Sequence, residues 1–111
     1  MAETPKHIKR LLRAYAEAAH EEELRRALVP IAEAFERWER RELGSGEMSE
    51  IIHAFHQGPA RELYVRYNTP RLEIAVAYAI TAGVLERQTI PAELLDYLAG
   101  PLRFYESNQA R

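Results

Sequence analysis

The sequence predicts an all-α fold: a compact bundle of five or six helical segments packed around a central apolar helix. Three observations carry this. Apolar residues recur at spacings of three and four along most of the chain, and no stretch keeps the period of two that marks a strand. The charged residues are dominated by good helix formers, with 13 Arg against two Lys and 16 Glu against a single Asp. Asn, Ser and Thr are scarce, which leaves little sequence for long connections. A length of 111 residues suits one helical domain over 1–111, with residues 1–4 and 107–111 expected to fray.

The first helix is expected over about 5–20, opened by Thr4 as cap and Pro5 at the first helical position. Its stripe is Ile8, Leu11, Leu12, Tyr15 and Ala19. The run His20-Glu21-Glu22-Glu23 breaks the phase of that stripe, so either a turn lies there or the stripe rotates around one long helix. A second stripe, Leu24, Leu28, Ile31, Phe35 and Trp38, is spaced 4, 3, 4, 3, the heptad pattern. Pro30 lies inside it and predicts a kink or short break near residues 26–29, because proline removes one helical hydrogen bond and crowds the preceding turn. Gly44-Ser45-Gly46 is expected to end this helix.

The next helix is expected to begin near Glu47, with a stripe of Met48, Ile51, Ile52 and Phe55. Gly58-Pro59 then predicts a kink, after which Leu63, Tyr64 and Tyr67 form a stripe rotated from the first. Thr69-Pro70 repeats the opening signal and starts the central helix, about 70–87, apolar on every side between Ile74 and Leu85. Pro91 starts a short helix carrying Leu94, Leu95 and Leu98. Gly100-Pro101 is expected to stop it before a last apolar segment of Leu102, Phe104 and Tyr105.

Composition removes several classes of function. With no cysteine, disulfides, thiolate metal sites and cysteine nucleophiles are excluded. A net charge of −2 disfavours nucleic-acid binding by overall field. The longest apolar run, Ile74 to Leu85, is too short to span about 30 Å of hydrocarbon, so no membrane association is expected. The polar start, Met1 to Pro5, does not resemble a secretory leader, and a cytoplasmic location is the expectation. There is no Gly-rich phosphate loop, no Gly-x-Ser-x-Gly and no His-Glu-x-x-His, so no catalysis is assigned.

Four places remain where a site could lie. Glu50-x-x-His53 and Glu17-x-x-His20 are two Glu-x-x-His motifs, and His56 follows His53 by one turn; such spacing lets side chains reach one ion. Iron, zinc or manganese would suit this His/Glu donor set. The order of the motifs departs from that of di-iron bundles, and Glu17 and Glu50 fall on the solvent side of their helices. Arg61 and Tyr64, just beyond the Gly-Pro kink, could line a small ligand pocket beside the histidines, with Arg61 meeting an anion. Lys6, Lys9, Arg10 and Arg13 form a basic face opposite the first stripe, suited to weak contact with phosphates. Leu24, Leu28, Ile31, Phe35 and Trp38 form a seam that a second copy could cover, flanked by mixed charges such as Glu33–Arg37 and Glu36–Arg40. The function these features predict is protein interaction or self-association. A His/Glu metal or ligand site around His53 and His56 is the alternative, and weak nucleic-acid contact is a third.

Overall fold

The computed structural model describes residues 4–109, and these form an all-α bundle. Its elements are α1 Lys6–Glu39, α2 Ser45–Phe55, a π turn His56–Ala60, α3 Arg61–Tyr67, α4 Leu72–Thr81, a 3₁₀ turn Arg87–Thr89, α5 Ala92–Tyr97 and α6 Ala99–Gln109. Helix α1 sets the long axis of a molecule measuring 58 × 30 × 23 Å. Its radius of gyration is 17.6 Å, against roughly 13 Å for a closely packed chain of about 100 residues. Among the described residues, no helix is long and apolar enough to cross a membrane.

Of the two alternatives for residues 20–23, the single long helix is the one the chain adopts. No turn interrupts residues 20–23, so the stripe rotates around a continuous helix, and Pro30 lies within it without breaking it. The carbonyl that Pro30 leaves without a partner belongs to Arg26, and both residues are exposed, so water can satisfy it. At the start, Pro5 and not Thr4 is the cap: Lys9 N–H donates to the Pro5 carbonyl at 3.0 Å. The Thr4 hydroxyl instead meets the Tyr97 hydroxyl at 2.8 Å. At the other terminus α6 extends to Gln109; residues 1–3 and 110–111, where fraying is also expected, fall outside the described residues.

Gly44-Ser45-Gly46 does not end α1. The stop is Arg41, which adopts φ 63°. Arg41 N–H donates to Trp38 O at 3.0 Å, and Glu42 N–H to Arg37 O at 2.9 Å. This pair of bonds is a Schellman cap, which uses a left-handed residue and is usually built on glycine. Gly44 caps α2 instead, its N–H donating to Glu47 Oε1 at 3.3 Å, and α2 begins at Ser45, two residues before the expected start. Helix α4 ends by the same motif, with Gly83 at φ 78°, Gly83 N–H on Ile80 O at 3.2 Å and Val84 N–H on Ala79 O at 2.9 Å. That cap closes α4 well before residue 87.

The two caps make a matched comparison. A left-handed conformation costs a residue with a Cβ roughly 1–2 kcal/mol, and glycine's freedom in the unfolded chain takes back part of that gain. Arg41→Gly is therefore expected to stabilise the protein by about 1 kcal/mol in urea unfolding. Gly83→Ala should cost about 1 kcal/mol, although a Cβ there meets nothing within 4 Å. A loss of stability in Arg41→Gly would contradict this account of the turn.

Gly100-Pro101 lies inside the first turn of α6, where proline's missing N–H costs nothing; it opens that helix and does not stop α5. The main core gathers Ile8, Leu12, Ala16 and Ala19 of α1, Leu63 and Tyr67 of α3, Ala75, Val76, Ala77, Ala79 and Ile80 of α4, and Leu94, Leu98 and Leu102 near the C-terminus. Helix α4 lies between α1 and α6, which cover Ala75, Val76, Ala77, Ala79 and Ile80, while Leu72, Ile74 and Tyr78 stay half-buried. A small second cluster, Ala34, Leu43 and Met48 with Ile31 and Ile51, joins the far end of α1 to α2.

Candidate functional site

Residues 45–67 follow one helical path, interrupted only by the π turn at His56–Ala60. Gly58-Pro59 accounts for it. A proline inside an α-helix crowds the carbonyl four residues back and cannot bond to it; a turn widened by one residue relieves both problems. The widening also sets the register downstream. On an ideal helix Leu63 and Tyr67 would stand about 60° and about 100° round from Met48. One extra residue in the turn takes up about 100° and returns them to the core side, where both are buried. The kink expected from the sequence is thus a π turn.

That turn faces α1 across a groove of about 440 Å³. The turn supplies His56, Gln57 and Ala60, α3 supplies Arg61 and Tyr64, and α1 supplies His20 and Leu24. Four of the metal and ligand candidates, His20, His56, Arg61 and Tyr64, and Leu24 of the seam therefore line one groove, from two distant segments. Glu17, Glu50 and His53 do not line it, and all three are exposed. Among the described residues, no group of three or more His, Asp or Glu side chains is placed to hold a metal ion. His20 and His56 offer two nitrogen donors on the same groove, without a carboxylate beside them in its lining.

Behind His20 lies a polar network. The His20 ring stacks on Tyr67, centroids 5.6 Å apart. The Tyr67 hydroxyl donates to Glu23 Oε2 at 2.5 Å, and Arg66 Nη1 donates to both Glu23 oxygens at 3.0 and 3.3 Å. The Arg66 guanidinium also sits 4.5 Å over the Tyr78 ring. Burial pushes the Tyr67 phenol well above the ordinary tyrosine range, helped by its hydrogen bond to Glu23 and by that residue's charge. For Arg66 burial opposes the charge, but Glu23 and the tyrosines outweigh it and hold the guanidinium protonated. Glu23 was not a candidate from sequence. Its signal was its place in the spacing Leu12, Ala16, Ala19, Glu23, Ala27, an acid at a core-facing position.

The other candidates separate. Lys6, Lys9, Arg10 and Arg13 are all exposed and line one shallow depression on α1, with no aromatic residue among them. The seam divides: Leu24 and Ile31 are half-buried against the two core clusters, whereas Leu28 is 42% exposed, Phe35 41% and Trp38 40%. The Phe35 and Trp38 rings meet edge to face with centroids 6.2 Å apart, and Trp38 Nε1–H donates to Ser45 Oγ at 2.9 Å. No family model matches the chain, and no curated protein or solved structure is significantly similar to it.

Proposed function

We propose that this chain is a self-association module in which the outer half of α1 pairs with the same segment of a second copy. The observation that carries the reading is the exposure of Leu28, Phe35 and Trp38, three seam residues that the chain's own core leaves uncovered. Supporting it, the end of α1 beside Phe35 and Trp38 is joined to α2 by a small cluster with just three buried residues, Ala34, Leu43 and Met48. Intrahelical ion pairs flank the start of the seam, Arg25 with Glu21 and Arg26 with Glu22, so these charges are already balanced and do not repel the same surface of a second copy. An isologous pair places each such surface against itself.

Each of these side chains is about 40% exposed, so covering it contributes about 1 kcal/mol, and a two-fold pair counts each residue twice. Phe35→Glu and Leu28→Glu are each expected to weaken association by at least about tenfold. Both positions are exposed, so helix content by circular dichroism should stay as in the parent. Sedimentation equilibrium is expected to give twice the chain mass for the parent at high micromolar concentration and the single chain mass for the variants. A parent that stays monomeric at those concentrations removes the proposal.

A further inference from the structure

We propose that the groove at the π turn is a binding site for a small aromatic carboxylate, with Arg61 taking the carboxylate and Leu24, Ala60 and Tyr64 the ring. The charge of the lining points to an anion. The chain carries 17 acids against 15 Lys and Arg, yet no acid lines this groove. Arg61 lines it and makes no ion pair among the described residues. A groove of about 510 Å³ beside α4 differs here: its Arg66 and Arg71 are already paired with Glu23 and Glu73. A guanidinium without a carboxylate partner offers a fixed fork of donors suited to one.

The rest of the lining selects the body of the ligand. Leu24, Ala60 and the Tyr64 ring are apolar or flat, and Gln57, His20 and His56 add a few polar atoms. A mostly apolar concavity with few converging polar groups is the usual form of a small-molecule site, and about 440 Å³ falls within the common range of roughly 300–1,000 Å³. Free phosphate fits poorly, because one guanidinium beside apolar walls leaves most of its oxygens without donors. Two features of construction are independent of charge. Three of the seven lining residues come from the π turn, an element common at functional sites. His20 is braced from behind by Tyr67, whose hydroxyl is fixed by Glu23.

The test is a titration of the ¹⁵N-labelled full chain with 2-naphthoate, with 2-naphthalenemethanol and inorganic phosphate in parallel. Saturable shifts are expected at the amides of His20, Gln57, Ala60 and Tyr64 with the carboxylate. The neutral alcohol and phosphate should each bind at least about tenfold more weakly. Arg61→Gln, at an exposed position, should weaken naphthoate by at least about tenfold with an unchanged parent spectrum elsewhere. Ala60→Leu keeps every polar group and fills the groove, and should abolish the shifts. Absence of saturable shifts at millimolar naphthoate, equal binding of the alcohol, or parent-like binding by Arg61→Gln or Ala60→Leu would each overturn the assignment.

Discussion

Replacing Leu94 by alanine is expected to cost about 3–4 kcal/mol, a large share of the stability of a domain this size. Leu94 and Leu98 are fully buried and belong to the cluster that includes Val76, Ala77 and Ile80. The cost belongs in the upper part of the range because the void cannot close. Ala75, Ala77 and Ala79 in that cluster have no side-chain rotamers with which to fill a cavity. Helix α5 has six residues, too few to hold itself together by hydrogen bonding alone, so its place depends on these leucines. Leu95→Ala is the internal control: Leu95 is only half-buried, and about 1 kcal/mol is expected there. Urea unfolding followed by circular dichroism measures both. Equal losses at 94 and 95 would contradict this account of the core.

Which features were legible in the sequence follows from what each depends on. Periodicity reports burial, so the all-helical architecture and the central place of Ala75 to Ile80 could be read directly. Boundaries depend on single backbone conformations. Gly83 takes one inside the apolar run that predicts helix to about 87, and Arg41 adopts the same left-handed geometry with a side chain that gives no warning, so the sequence points to Gly44-Ser45-Gly46 instead. Gly100-Pro101 is ambiguous for a similar cause: the pair breaks a helix from within and is harmless in the first turn. For the groove, Arg61, Tyr64 and His56 were legible because they share one segment with Gly58-Pro59. His20 arrived there from far along the chain, through the continuity of α1 past residues 20–23. Glu23 was hidden because an acid in a run of acids looks solvated; only its phase relative to Ala19 and Ala27 marks it as inward.

Glu23→Ala is expected to cost about 2–3 kcal/mol. The substitution leaves two donors without their acceptor: the hydroxyl of buried Tyr67 and one edge of the Arg66 guanidinium. The Glu23 side chain is 17% exposed and that of Arg66 36%, so Arg66 can turn partly to water, and the loss stays below that of a fully buried pair. Glu23→Gln keeps an acceptor for Tyr67 and removes the charge, so about 1 kcal/mol is expected. The same contact makes stability depend on pH in one direction. The Tyr67 pKa is higher in the folded chain than in the unfolded one, chiefly through burial and then through Glu23. Its contribution is therefore complete below the ordinary tyrosine value near 10 and is lost as pH rises toward the folded value, by up to about 1.4 kcal/mol per unit. Comparing urea midpoints at about pH 9 and about pH 11 should show a larger drop in the parent than in Tyr67→Phe, which has no phenol to ionise there. Glu23→Gln should fall between them, because it removes the charge that helps to raise the phenol while leaving burial in place. An identical drop in the parent and in Tyr67→Phe would mean that Glu23 and Tyr67 do not form the coupled pair that braces His20.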